Sequence, residues 1–358
     1  MTTLSKTAPI LAFLFVLISL LPNPSLGQSN SIFDVMHHQE VLEITIKADL
    51  DSLKNSRRSD DYQKAHLTFK NENGQLQSWK MKLKTRGKFR RKMSAMPPLK
   101  MKFKKAELAD AGLNEFNDMK LVTHAVKNKA EAKKLLMKEY LAYKIYEELT
   151  ENSYRTQLVR ITYKDQKTGI KSKNWGFLIE DTAQLADRMQ AEKCDCWASL
   201  PSDFQYRAAA QMSLFQFMIG NEDFSIKNLK NVKVFRKDGQ LIPVPYDFDF
   251  SGLVNAPYAT PNQNYQLKAV TDRVYLGNPQ SLQELHSSRM LFYAKKQAIL
   301  EIVTNFKKLD VDSKLEMRDY LKSFFDYMDT LKMPQNILPV GPEKTLLQSQ
   351  ILENWTKE

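Results

Sequence analysis

Two short segments hold the residues best suited to chemistry. Ile219 to Asn228 reads IGNEDFSIKN and places Asp223 five positions before Asn228, and Pro243 to Gly252 reads PVPYDFDFSG and supplies Asp247 and Asp249. Carboxylates and an amide oxygen are what phosphoryl transfer asks of a protein, since that reaction needs an oriented hydroxyl and divalent cations clamped on phosphates. Asp, Asn and Gly are also ordinary turn residues, so either segment alone is a weak signal. Together they say more. Asp247 and Asp249 lie among Pro245, Tyr246, Phe248 and Phe250. That company carries a carboxylate into apolar surroundings, where a metal or another cation is the usual compensation.

The elements that must position these residues can be read on either side. Between the two segments, Val232, Val234 and Leu241 flank Asp238-Gly239, the signature of a hairpin. An apolar helix from Phe204 to Ile219 would deliver the chain to Gly220 as its stop. Upstream, VLEITIKADL from Val41, Ala65 to Phe69 and Gln77 to Lys84 alternate as strands do. From Lys80 to Lys105 there are twelve Lys or Arg and no acid, spaced mainly by two, with Met81, Leu83, Phe89, Leu99, Met101 and Phe103 at alternate positions. As strands, these residues would show one apolar and one cationic face. A solvated face is the usual meaning of such a run, but its single sign also suits a polyanion such as nucleotide phosphates or an acidic substrate. Nucleic acid is not expected, because Trp79, Phe89 and Phe103 are thin material for a stacking platform.

Leu135, Leu136, Leu141, Ile145 and Leu149 then form a helical stripe with Glu139 on its flank. Tyr154 to Tyr163 and Trp175 to Glu180 read as strands joined by a charged turn. Strands, one helix, then strands ending in the acidic linker Glu180-Asp181-Thr182 is the order of a kinase-like small lobe, and the remainder reads as mainly helical, with helices at Ser287 to Leu309 and Ser313 to Leu331. The expected fold is therefore α+β and two-lobed: a β-rich lobe at 41–180 and a mostly helical lobe at 181–333. A polar leader at 28–40 precedes them, and an extension at 334–358 follows.

The first residues have the pattern of an export signal. Lys6 precedes an apolar run from Ile10 to Leu21, and Ser25-Leu26-Gly27 offers small residues for cleavage after Gly27. The run of twelve residues is short for a membrane span, which takes roughly 20. No later segment is apolar enough to cross a bilayer. An exported protein, periplasmic, at the cell surface or secreted, is expected. Removing the signal from the 358 residues and net charge of +12 takes away Lys6 and no acid, leaving 331 residues and +11. Cys194 and Cys196 are the only cysteines. Nothing nearby completes a zinc shell, so an oxidised or structural pair is favoured over a metal site. The five histidines are scattered, and no hydrolytic triad is suggested.

These residues resemble the spore coat protein H family of atypical kinase-fold proteins from secretory or cell-surface settings. The likeness rests on Arg86-Gly87 after a strand, the PLKMKF strand from Pro98, the helix carrying Glu139, WGFLIE, GNEDFSIKN and PYDFDFSG. It covers roughly Val41 to Leu331. It implies a two-lobed kinase-like fold, ATP as cosubstrate, Mg²⁺ or Mn²⁺, and transfer of the terminal phosphoryl group to a Ser/Thr hydroxyl of a protein substrate. By this resemblance Asp223 orients or deprotonates the acceptor hydroxyl. Asn228 and Asp247, with Asp249 close by, hold metal. Lys102 contacts the phosphates and pairs with Glu139, with Lys100 as the other choice on the same strand face. Arg86 and Lys88 cover the nucleotide, and Glu180 stands at the adenine-binding linker. The chain departs from ordinary protein kinases in having no Gly-x-Gly-x-x-Gly loop, Ser225 two places after Asp223, and Asp249 where a Gly is usual.

Two other readings compete. One is a catalytically silent module whose basic sheet binds an anionic surface polymer or partner protein. The other is a two-metal phosphohydrolase built on Asp223, Asp247 and Asp249.

Overall fold

Alternating apolar residues build the first half of the chain. The computed structural model describes residues 30–277 and 282–330. The export signal expected at 1–27 and the extension at 334–358 lie outside the described residues. The described chain runs α1 (Ile32–Met36), β1 (Leu42–Ala48), α2 (Leu50–Asn55), β2 (Gln63–Lys70), β3 (Leu76–Thr85), α3 (Phe89–Met93), β4 (Leu99–Phe103), α4 (Lys105–Asp110), β5 (Asp118–Val122) and α5 (Lys129–Leu149). It continues through β6 (Thr156–Asp165), β7 (Lys171–Ile179), α6 (Thr182–Arg188), β8 (Glu192–Cys194), α7 (Tyr206–Ile219), β9 (Val232–Lys237), β10 (Gln240–Pro245), α8 (Leu282–Thr304) and α9 (Val311–Thr330).

Seven strands close into a barrel in the order β1-β2-β3-β4-β5-β7-β6. Every neighbour pair is antiparallel except the closing one, where β1 runs parallel to β6 with Ile44 opposite Ile161. The period of two in each strand sends one set of side chains inward. Ile44, Ile46, Leu67, Leu83, Met101, Leu121 and Ile161 fill the interior, and Lys80, Lys82 and Lys102 stay in water. Gly176 on β7 is a fitting requirement, because a Cβ there would lie 2.6 Å from Ile161 Cδ1 and 2.9 Å from the Val122 carbonyl.

This closure overturns the two-lobed kinase-like architecture expected from element order: the strands form a closed barrel rather than a small lobe of that kind. The order of local patterns along a chain carries no information about whether the first strand meets the sixth. Pairing at such separation is a tertiary event. Part of the segment read as a polar leader is packed. Ser31 and Asp34 cap α1 reciprocally, and Ile32, Phe33 and Met36 are buried in the barrel cluster.

A second core joins α5, α7, α8 and α9 to β9, β10 and the outer face of the barrel at Val122, Phe177 and Ile179. The expected hairpin forms as β9–β10, and β8 adds to β9 to make a three-stranded sheet. α7 ends where expected. Gly220 takes the left-handed conformation at φ 61°, and Asn221 N–H donates to the Gln216 carbonyl at 2.9 Å. Among the described residues no helix is long and apolar enough to cross a membrane.

Candidate functional site

The two chemistry-bearing segments meet because backbone hydrogen bonds stitch them together. Gly252 N–H donates to the Gly220 carbonyl and Leu253 N–H to the Ile219 carbonyl, each at 2.9 Å. Tyr246 N–H donates to the Asn231 carbonyl at 3.0 Å, which ties the end of the hairpin to its beginning. Asp247 follows with φ 70°, a left-handed backbone for a residue with a side chain. Its N–H is held by the Tyr143 hydroxyl oxygen of α5 at 2.8 Å. A sparsely populated conformation fixed from outside at a carboxylate is the kind of local cost found at functional sites.

α5 brings the third acid. Glu139, Asp247 and Asp249 offer oxygen atoms that all lie within 4.8 Å of one another, the one such group of acids, His or Cys among the described residues. One internal cation reaches two of them. Arg90 of α3 donates from Nη1 to Glu139 Oε2 at 2.9 Å, lies 3.7 Å from Asp249 Oδ2 through Nε, and donates from Nη2 to the Thr123 carbonyl. Tyr258 donates to Asp249 Oδ2 at 3.0 Å. Burial works against the Arg90 charge, but Glu139 and Asp249 outweigh it and hold the guanidinium firmly protonated. The acids are not equally satisfied, since Arg90 pairs with Glu139 and Asp249 and not with Asp247. Burial, followed by the opposing pull of Arg90 and the repulsion of neighbouring carboxylates, leaves Glu139 and Asp249 both well above the usual carboxylate range. Glu139 Oε1 is buried with no hydrogen-bond partner among the described residues. An orphaned carboxylate oxygen within an all-oxygen donor set fits a hard divalent cation such as Mg²⁺ or Mn²⁺.

Beside the acids lies Lys120 of β5. Its Nζ is shielded from solvent without a hydrogen-bond partner, although the residue as a whole is only half-buried. It sits 4.6 Å from the Tyr154 ring centroid and 4.8 Å from that of Tyr246. Burial pushes its ammonium down to about 7, helped by the like charges of Arg86 and Lys233 and opposed by Asp181 and Asp247. Lys233, on β9, is also lowered by burial. Arg86 and Lys233 thus lie near enough to act on Lys120, which also feels the charge of Asp247, and none of the three side chains has an ion-pair partner among the described residues.

Asp223 is half-buried beside this cluster, close enough for its charge to act on Asp249. Its N–H donates to Asn221 Oδ1 at 3.1 Å, its carboxylate accepts from Asn231 Nδ2 at 2.9 Å, and Lys230 forms an ion pair with it. The amide that holds Asp223 is therefore Asn231. Asn228 is exposed, with its N–H on Ser225 Oγ at 3.1 Å and no bond from its side chain among the described residues.

The other residues singled out by sequence fall elsewhere. Lys102 is exposed on β4 opposite Lys82 and Asp118, and Lys100 pairs with Asp118 at 2.8 Å. Neither meets Glu139, whose partner is Arg90. Alternation correctly places both lysines on one face, but that is the outer face of the barrel. Glu180 is fully buried and spoken for: its carboxylate accepts from Arg155 N–H at 2.8 Å, Arg155 Nε at 2.9 Å and Arg188 Nη2 at 2.8 Å. Arg86 lies near Lys120, whereas Lys88 is exposed. Together with Arg57, Arg58, Gly87, Phe89, Arg91 and Lys92, Lys88 lines a basic concavity of 890 Å³.

Sequence reasoning missed Arg90, Lys120, Lys233, Asn231, Tyr143 and Tyr258. A signal existed for Lys120, which stands between Met119 and Leu121 in a short alternating stretch and must face away from the interior. Arg90 was masked by its neighbours in the basic run, where period two hides the single turn of helix that follows Gly87.

No protein-family model matches this chain, and no curated protein matches it.

Proposed function

We propose that the protein is a metal-dependent phosphotransferase, passing the terminal phosphoryl group of ATP to a Ser/Thr hydroxyl of a protein substrate. The observation that supports this best is the pairing of opposites: an acid cluster with too little positive charge lies next to a cation cluster with no acid partner. A nucleotide–metal complex has the matching polarity. ATP and the acceptor class come from the family resemblance, and the reading stands on the site's chemistry without the two-lobed fold.

Glu139, Asp247 and Asp249 would hold the divalent cation, whose contribution is to neutralise charge on phosphate oxygens. Lys120, Arg86 and Lys233 would attract the phosphates, with Tyr154 and Tyr246 shielding the lysine from water. Tyr143 holds Asp247 in place through its backbone, and Arg90 does so for Glu139 and Asp249 through their side chains. Asp223, steadied by Lys230 and Asn231, would accept the proton of the hydroxyl or orient it. The test is incubation of the purified protein with terminally labelled ATP, Mg²⁺ or Mn²⁺ and generic protein acceptors, beside Asp223→Ala and Asp247→Ala. Metal-dependent label that vanishes in both variants is expected. Absence of label, with no metal-dependent change in melting temperature on adding ATP, would overturn the proposal.

A second reading has one specific observation in its favour. The basic concavity around Lys88 contains Arg58, Lys88 and Lys92, none of whose side chains has an ion-pair partner among the described residues. A silent module binding an anionic polymer there would bind in a salt-sensitive way that survives Asp247→Ala.

A further inference from the structure

The Cys194–Cys196 disulfide ties no element of the fold to another. The two residues are two positions apart, at the end of β8 and in the loop that follows it. β8 is already held by its ladder to β9, with Cys194 opposite Val234. A bond closing so short a loop removes little freedom from the unfolded chain, so stability is a poor account of it. Its surroundings suit reactivity. Both sulfurs belong to half-buried residues flanked by exposed Lys193, Asp195 and Trp197. Arg236 of β9 is exposed and places Nη2 at 3.2 Å from Cys196 Sγ and 3.8 Å from Cys194 Sγ. A guanidinium beside a sulfur favours its thiolate, and a better thiolate is a better leaving group in exchange. Trp197, the next residue after Cys196, and Leu200 are 73% and 64% exposed, apolar side chains near the pair in sequence that suit a polypeptide more than a small thiol.

We propose that Cys194–Cys196 is a thiol–disulfide exchange site for a polypeptide dithiol, with Arg236 as the positioning residue that receives the Cys196 thiolate. This stands apart from the phosphotransferase reading. A thiolate of the dithiol attacks Cys194 Sγ and forms a mixed disulfide. The Cys194–Cys196 bond breaks, and its electron pair remains on Cys196 Sγ facing the Arg236 guanidinium. The second thiolate of the dithiol attacks its own sulfur in the mixed disulfide and releases Cys194 as a thiolate. Two electrons and two protons pass to the pair, and the dithiol leaves as a disulfide. The reverse sequence oxidises the pair.

The experiment follows the appearance of thiols in the folded protein by mass-tagging with maleimide. The probes are dithiothreitol and a synthetic peptide dithiol with apolar flanking residues. Reduction without denaturant is expected. It should be slower in Arg236→Ala by roughly three- to tenfold and intermediate in Arg236→Lys, because the leaving thiolate loses and then partly regains its counter-charge. Trp197→Ala should slow the peptide and leave dithiothreitol unchanged. A purely structural bond would stay closed until the protein unfolds, and Arg236→Ala would then alter melting temperature without altering a native rate; either result overturns the exchange site. A Trp197→Ala variant that slows neither probe overturns its preference for a polypeptide.

Discussion

Two buried carboxylate nodes in this molecule are built from the same materials to different ends. At the first, Glu180 is shared by Arg155 and Arg188, and Arg155 also reaches Asp34 at 2.9 Å. Two acids meet two guanidinium groups. At the second, Arg90 is the one ion-pair partner of Glu139 and Asp249, Asp247 has none, and one oxygen of Glu139 has no hydrogen-bond partner, all among the described residues. A balanced buried network holds strands and helices in register, and breaking it strands a charge. An unbalanced one costs stability without a structural return, and the missing charge is its most economical explanation. On the proposed function, the difference separates a residue kept for the fold from residues kept for a ligand.

Substitutions should divide along that line. Asp247→Ala should lower phosphoryl transfer by roughly 10³-fold, on the scale of losing a main electrostatic element of a site. Its melting temperature should change little, and calorimetry beside the transfer assay would check both. Glu180→Gln should do the reverse. It strands Arg155 and Arg188, so stability should fall by about 3–5 kcal/mol in urea titrations, while activity per folded molecule persists. A Glu180→Gln protein as stable as the parent would break the comparison.

Lys120→Met should stabilise the protein at neutral pH while weakening ATP binding. The sign follows from its lowered ammonium. A lysine at about 7 in the folded chain binds a proton less readily than in the unfolded chain, so its charge costs most stability at and below that pH. The cost is relieved as pH rises from there toward the ordinary lysine range. The difference in melting temperature between Lys120→Met and the parent should therefore be largest near pH 6 and shrink toward pH 10. The smallest effects should distinguish the two asparagines. Asn231→Ala should reduce transfer about tenfold through the loss of one hydrogen bond to Asp223, and Asn228→Ala and Lys102→Ala should each stay within about twofold. Measured rates in the reverse order would return Asn228 to the site.

Much of the local structure could be read from the sequence, and the closure could not. The stripe from Leu135 to Leu149 was legible from its spacing, and the Asp238-Gly239 hairpin and the Gly220 stop from a residue type that favours one conformation. Asp247 and Asp249 were legible through their aromatic neighbours. The parallel β1–β6 pairing is beyond any local pattern, and with it went the architecture. Arg90 and Lys120 escaped for opposite reasons. Arg90 was one cation among twelve in a basic run, and its difference from the others is a matter of direction only. Lys120 was a lone lysine in a five-residue strand, unremarked until Tyr154 and Tyr246 from distant segments closed over it. Lys102 and Glu180 illustrate the converse: the right residue type at a fitting spacing, placed on a solvated face or in a satisfied network.

The most direct test of the central claim is Mn²⁺ titration of the parent protein and of Asp247→Asn, read by the loss of the free-ion paramagnetic resonance signal. One saturable site in the parent that is lost in Asp247→Asn, with Glu180→Asp as a folded control that retains it, is the result the unbalanced node predicts. No saturable binding in the parent, or binding indifferent to Asp247, would contradict it and leave the three acids as a costly feature of the fold.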